Sequence, residues 1–545
     1  MATQADVVVI GSGAAGLVAA LVAHDEGAEV MVLEKSALLG GTSAMSGGIV
    51  WMPNNHLQAE AGIDDSREAA LDYLASLSLG QIDSDMAATF VDEGPEMLRW
   101  VAEHTPCSFH LIRDYPDYHP EHPGGLSAGG RSLDNGLFAY PQLGQWADRI
   151  RNQRGAQPVM LTETPLGGAT ELPEPAVIGE RLGREQNGMG LALVGALVKA
   201  CLDREIDLRL ESPAEHLVVD DGAIVGVHVG AEARATIDTR TVVLATGGFE
   251  WNQELCRTFL RGPMTAPAGS PTSTGDGLVM AMEAGARLGN MRNAWWVPVL
   301  RIPGEMAFDA PSVHLILVER TRPRSLMVNA DGRRFTNEAG NYNAMGGAFH
   351  AFDPSRFEYP NQPCWLVVDA EYRRRYDLPG APAGTDAPPW MSVGDTVEAL
   401  AEEIGLEPAR LVATVDRFNR LAAEGADADF GRGESAYDTF NGDQTRSGVA
   451  QTLEPLDEGP YFAMPIESGA LGTNGGPKTD TRGRVLSLGG GVIEGLFAAG
   501  NVMAAPTGRV YGGAGGTLGP AMTFGYIAGR EAGRRVAGQR PMTRR

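Results

Sequence analysis

Basic residues are in short supply. The 545-residue chain has 44 Lys and Arg against 69 Asp and Glu, a formal net charge of −25 at pH 7. Nucleic acids and anionic membranes are bound through Lys and Arg, so this balance excludes both as main partners. Cysteine is scarcer still. Cys107, Cys201, Cys256 and Cys364 lie far apart and form no C-x-x-C, which fits a reduced, cytoplasmic setting better than a disulfide framework. Metal-ligand spacings are missing as well; His119 and His122 are close, but with no third ligand nearby they read as a polar loop. No apolar run reaches about 18 residues uninterrupted, so no spanning helix is expected. The apolar N-terminus lacks the basic flank of a secretion signal and carries Asp6 instead. The C-terminal "GRRVAGQRPMTRR" is locally basic and reads as a frayed end.

Glycine, by contrast, is abundant, at 71 residues, and much of it is clustered, as where backbone lies close to a ligand. "ADVVVIGSGAAGLVAALVAHDEGAEVMVLEK" reads as strand, turn, helix and strand. "DVVVI" is the continuous apolar run of a parallel strand buried on both faces. Gly11, Gly13 and Gly16 form G-x-G-x-x-G: a tight turn, a close approach to a pyrophosphate, and a close helix–strand contact. The helix N-terminus holds negative charge, and Glu34, ending the second strand, can accept both hydroxyls of a ribose. Such an acid suits an adenosine without a 2′-phosphate, hence NAD or FAD. FAD is favoured by the Gly-, Ser- and Thr-rich "KSALLGGTSAMSGGIVWMP" that follows. Two distant pieces, "TRTVVLATGGFE" (239–250) and "GLFAAGNVMAA" (495–505), read as further strands of the same domain.

Along the rest of the chain, residues 60–105 have helical periodicity and 191–210 read as helix then strand. Residues 216–230 and 324–338 each read as a hairpin around Asp-Gly. Residues 273–289 read as a capped helix and 396–425 as amphipathic helix. The predicted architecture is α/β: a Rossmann-like FAD-binding domain of the glutathione-reductase type with an inserted α+β catalytic domain. The FAD domain is placed at 1–286 and 467–545, and the catalytic domain at 287–466. A last helix opens at Thr517 to Pro520, directly after "GRVYGGAGG". Its positive end would stabilise an anionic reduced flavin. Trp51, Phe249, Trp295, Trp296 and Phe524 are candidates for an apolar pocket or equally for core. Asn152 to Gly190 has no recognised motif and is expected to shape the pocket mouth. Gly125-Leu-Ser127-Ala-Gly129 matches G-x-S-x-G, but it sits in a loop context, against a hydrolase.

These segments resemble the flavoprotein group that holds fumarate reductase and 3-ketosteroid Δ1-dehydrogenase, over nearly the whole length. "GSGAAG", "LEK", "GGTSAMSGG", "ATGGFE" and "GLFAAGN" are similar to its FAD segments. The resemblance implies non-covalent FAD held by Gly11, Gly13, Ala14, Ala15 and Gly16, then Glu34 and Lys35, and by Gly41, Thr42, Ser43, Gly47 and Gly48. Ala245, Thr246, Gly247, Asp276, Gly500, Asn501, Gly516, Thr517 and Leu518 complete that set. "PDY" ending at Tyr118, "RRFTNEAGNY" ending at Tyr342 and "GRVYGGAG" with Tyr511 and Gly515 resemble the ketosteroid branch, although Gly512 and Ala514 stand where that branch commonly has prolines. By this resemblance the activity is FAD-dependent α,β-dehydrogenation of a cyclic ketone, first of all 1,2-desaturation of a 3-oxosteroid. Tyr342 is then the base, Tyr118 its helper, and Tyr511 with Gly515 the donors to the ketone oxygen. A smaller cyclic ketone, or ene-reduction, is the second reading. An external electron acceptor is implied.

Overall fold

Strands with no polar face must be covered on both sides, and the first half of the chain builds that arrangement. The computed structural model describes residues 3–153, 155–230 and 235–539. Val7–Ile10 and Val30–Leu33 are buried at every position and pair in parallel. Val242–Leu244 joins the other side of Val7–Ile10, and Val492–Ala498 pairs beyond it, both parallel. With Asp207–Arg209 at one edge and strands from 214–238 at the other, they make a nine-stranded sheet. Distant parts of the chain thus supply neighbouring strands.

Two helices lie together on this sheet because one of them is notched. Gly525, Gly529 and Gly533 recur every fourth residue in the helix Leu518–Gln539 and face the first helix, Ala14–Asp25. A Cβ at Gly525 or Gly529 would stand 2.4 Å from the carbonyl oxygen of Ala15 or Ala19. The crossing therefore requires bare backbone, and the start of the last helix is drawn beside the Gly-rich turn.

A second, seven-stranded sheet is built around the 13-residue strand Tyr461–Thr473, flanked by Ala294–Leu300 and Cys364–Val368. Its apolar faces are closed by the helices Tyr342–Phe349, Val397–Glu403 and Pro408–Glu424.

Several local expectations change. The hairpin at 216–230 forms, with strands Ala214–Asp220 and Ala223–Val229. The one at 324–338 does not. Ser325–Asn329 turns at Asp331-Gly332 but pairs with Cys364–Val368, because Arg334 and Glu338 are drawn into a buried ion cluster with Asp427. Residues 396–425 form two helices, broken at Gly405, whose φ is +73°, before Pro408. The helix expected at 273–289 is Asp276–Glu283, entered through Gly275 in the left-handed region without a side-chain cap. Of the tail expected to fray, 533–539 continue the last helix; 540–545 lie outside the described residues.

Candidate active site

The Gly-rich turn does what its spacing predicts. A Cβ at Gly11 (φ +106°) would sit 2.3 Å from the Ala245 carbonyl oxygen, and one at Gly16 would sit 2.1 Å from that of Gly11. At Gly13 it would meet only Ser43 Oγ, at 3.5 Å, so that backbone is open to a ligand. Ser12 donates from Oγ to Glu34 Oε2 at 2.6 Å and Ser36 N–H donates to Oε1 at 2.9 Å, fixing the acid at the end of its strand. Lys35 is tied to Asp276 at 2.7 Å. Among the described residues the buried Thr246 hydroxyl has no partner. This cradle has the shape, the helix N-terminus and the ribose acid that an FAD adenosine and pyrophosphate require. Gly13→Ala, which adds a methyl toward the ligand without a backbone clash, is expected to give a folded protein with much less bound flavin, read from the flavin absorbance of the purified variant.

The cradle opens into a cavity of about 720 Å³. Every expected cofactor residue lines it except Gly16 and Gly516, which pack behind the wall. Tyr118, Tyr342, Tyr511 and Gly515 line it as well.

Three separate devices place the tyrosines. Tyr118 N–H donates to the Gly512 carbonyl at 3.0 Å, and Tyr73 Oη donates to the same oxygen at 2.7 Å, tying the first tyrosine loop to the third. Asp117 anchors that loop from below. It accepts from Trp51 Nε1 at 2.9 Å and Arg131 Nη1 at 2.7 Å, and Arg131 also grips Asp65. Burial nevertheless pushes the Asp117 carboxyl up to about 6, against the pull of Arg131. Tyr342 opens the helix Tyr342–Phe349, which Asn341 caps by accepting from Ala344 N–H at 2.8 Å. Trp51 explains the glycines beside Tyr511: a Cβ at Gly512 or Gly513 would lie 2.6 or 2.5 Å from its ring.

The result is a row of hydroxyls. Tyr118 Oη donates to Tyr342 Oη at 2.7 Å, and Tyr342 Oη donates to Tyr511 Oη at 2.9 Å. All three rings are buried. Desolvation, reinforced by neighbouring Tyr511, holds Tyr342 well above the ordinary value of 10. The same cause, with Tyr342 as neighbour, raises Tyr118. Tyr511 rises less freely, because hydrogen bonds from Tyr342 and Thr517 oppose its burial. Among the described residues the Gly515 N–H has no acceptor, while its carbonyl receives the Trp51 N–H at 3.1 Å. A free donor and a phenol therefore border the same cavity. The arrangement can polarise a carbonyl oxygen and take a proton from the carbon next to it.

Sequence reasoning missed part of the site. Tyr115 also lines the cavity, and Tyr115 and Tyr437 join the same buried cluster. Nothing in their local sequence separates them from core aromatics. For the aromatics left open between pocket and core, the structure chooses core. Trp51, Phe249, Trp295, Trp296 and Phe524 are all buried and none lines the cavity; Trp295 packs edge-on against Tyr511 from behind, at 5.2 Å. The Asn152–Gly190 segment contributes Gln153, Leu161, Thr164, Leu166 and Met189 to the lining. Glu121 comes beside His119 and His122, so a third ligand-type group does lie next to the pair in its loop. Ser127 is exposed in its loop, with no nucleophile elbow.

Glu250 is a buried acid outside the cavity lining, and desolvation pushes it up to about 8. In the unfolded chain it ionises near the ordinary value of 4.5. The unfolded state therefore holds fewer protons between those limits, and stability falls as pH rises from about 4.5 to 8. Glu250→Gln is expected to flatten that fall, seen as a smaller drop in melting temperature between pH 5 and 8.

The FAD binding domain family matches residues 6–518. The chain is 39% identical over 542 residues to 4-oxocyclohexanecarboxylate 2-dehydrogenase of Sinomonas cyclohexanicum, covering 98% of this chain and 93% of that protein. It is 37% identical over 569 residues to 3-oxosteroid 1-dehydrogenase of Mycolicibacterium smegmatis, covering 98% of each. The crystal structure of 3-ketosteroid Δ1-dehydrogenase from Sterolibacterium denitrificans, in complex with 1,4-androstadiene-3,17-dione, superposes with a TM-score of 0.91 at 34% identity. That match covers 98% of this chain and 100% of the other.

Proposed function

The chain belongs to the FAD binding domain family and is an FAD-dependent oxidoreductase acting on CH–CH groups, and from that premise we propose that it α,β-desaturates a neutral cyclic ketone, foremost a 3-oxosteroid at carbons 1 and 2. The observation that carries the reading is the hydrogen-bonded row Tyr118–Tyr342–Tyr511 beside the free Gly515 N–H. In this reading residues 1–286 and 467–545 hold the FAD, and 287–466 close over the substrate. The FAD residues are those of the cradle, from Gly11 to Leu518. The FAD is held non-covalently, so acid precipitation of the protein should leave the flavin in the supernatant. No helix among the described residues is long and apolar enough to cross a membrane. Four free, buried cysteines accord with a reducing, cytoplasmic setting.

The ketone oxygen binds between Tyr511 O–H and Gly515 N–H. Both donors strengthen as negative charge gathers on that oxygen, which makes the α-proton acidic. Tyr342 takes that proton, and Tyr118, donating to Tyr342 Oη, stabilises the charge Tyr342 carries while it acts as base. Bound FAD supplies the acceptor for the hydride leaving the β-carbon. The buried tyrosines keep water from the reacting carbons.

Mixing the anaerobic holoenzyme with a saturated 3-oxosteroid should bleach the flavin. If steroids fail but a simple cyclohexanone bleaches it, the steroid assignment is lost and the chemistry stays. That second reading has its own support, the 39% identity to an enzyme named for a cyclohexanone acid.

A further inference from the structure

We propose that Glu319 is a specificity-determining residue that keeps anionic ketones out of the substrate end of the cavity, restricting the enzyme to neutral ones. The proposal rests on the ketone-dehydrogenase reading above. If it holds, this chain differs in substrate charge from the relative whose named substrate is a ring ketone bearing a carboxylate.

Glu319 lines the cavity together with Leu315, Leu317 and Tyr342. Its Oε2 accepts the Leu317 N–H at 3.0 Å, so the carboxylate is held in place by backbone rather than by a cation. Its own carbonyl accepts from Tyr372 Oη at 2.7 Å. The next residue, Arg320, is 0% exposed and turned away from the cavity. Arg320 donates to the carbonyls of Ile316 at 3.0 Å, Gly340 at 2.7 Å, and Glu338. Those last two precede Tyr342 by two and four residues. The carboxylate and the proposed base are therefore fixed to one frame.

The rest of the lining offers an anion no unpaired cationic side chain. Among the described lining residues the potential cations are Lys35 and His314. Lys35 is paired with Asp276 at 2.7 Å in the FAD cradle, and His314 lies 2.6 Å from Glu305. Apart from His314 and the tyrosines, the ionisable groups that line the cavity away from the FAD cradle, Glu319 and Asp377, are acids. A second carboxylate would enter a poorly solvated space beside a like charge with no cation to meet it, which is costly. Burial raises the Glu319 carboxyl above its ordinary value, against the opposing pull of backbone hydrogen bonds and of the neighbouring Arg320 charge. The overall charge of −25 opposes the approach of an anion as well.

The test compares 4-oxocyclohexanecarboxylate with its methyl ester, alongside a saturated 3-oxosteroid, by anaerobic flavin reduction of the holoenzyme at pH 8. The wild type is expected to be reduced by the ester at least about tenfold faster than by the acid. Glu319→Gln, of the same size without the charge, should narrow that ratio by about tenfold, while Glu319→Asp keeps it. An acid that works as well as its ester in the wild type overturns the proposal, as does a ratio that Glu319→Gln leaves unmoved. Should the Gln variant lose its FAD, the wild-type and Asp ratios decide. If neither ketone nor the steroid reduces the flavin, the ketone-dehydrogenase reading itself falls, a result distinct from any acid-to-ester ratio.

Discussion

Tyr342→Phe is expected to lower the rate of flavin reduction by ketone about 10²–10⁴-fold, the range in which a positioned base contributes. FAD content should be unchanged, because Tyr342 lies outside the Gly-rich cradle. The ring would still fill its place among Tyr118, Trp295 and Tyr511 in the buried cluster. What disappears is the middle of the hydroxyl row: the acceptor for Tyr118 and the donor to Tyr511. Rapid mixing under anaerobic conditions isolates this half-reaction from flavin reoxidation. Near-normal bleaching would remove Tyr342 from the role of base. The wild type carries a matching pH signature. Burial raises Tyr342 above 10, and the base form is the deprotonated one. The reduction rate should therefore climb with pH and reach no plateau below about pH 10.

The second large effect is expected at the ketone oxygen. Gly515 has φ +93°, and an added Cβ would stand 2.5 Å from both the Ile49 carbonyl oxygen and the Trp51 nitrogen. Neither is the end of a flexible side chain, so Gly515→Ala must move the backbone whose N–H is the proposed donor. Losing one such donor costs about 10²–10³ in kcat. Because the Ala variant also strains the turn, Tyr511→Phe is the cleaner companion: it removes the other donor without touching backbone. Its loss should fall on kcat more than on KM, since the bond strengthens only as charge develops. A variant that raises KM alone would place the Tyr511 hydroxyl in ground-state binding instead.

The nucleotide cradle was legible because its constraints are local. G-x-G-x-x-G, the apolar strand before it and the acid at the end of the next strand each act within about 30 residues, the reach of one βαβ unit. Helices with clear periodicity were legible for the same reason. Failures came where a distant partner outbid the local signal. Asp331-Gly332 is a good hairpin turn, but Arg334 is taken by Asp427, roughly 90 residues away, and draws Glu338 in with it. Local sequence left Trp51 open between pocket and core; the structure makes it the floor beneath Gly512 and Gly513.

The sequence by itself determined that this chain cradles a dinucleotide, since turn, helix and acid must be contiguous to work. Family resemblance singled out three tyrosines but could not show them touching. Tyr118 and Tyr342 are 224 residues apart, and Tyr342 and Tyr511 are 169 apart. Only the tertiary structure brought their hydroxyls into one row, added Tyr115 and Tyr437 around them, and set Glu319 on the same frame as Tyr342. The physical reason is that hydrogen bonding and desolvation act over a few ångströms of space, whatever the distance along the chain.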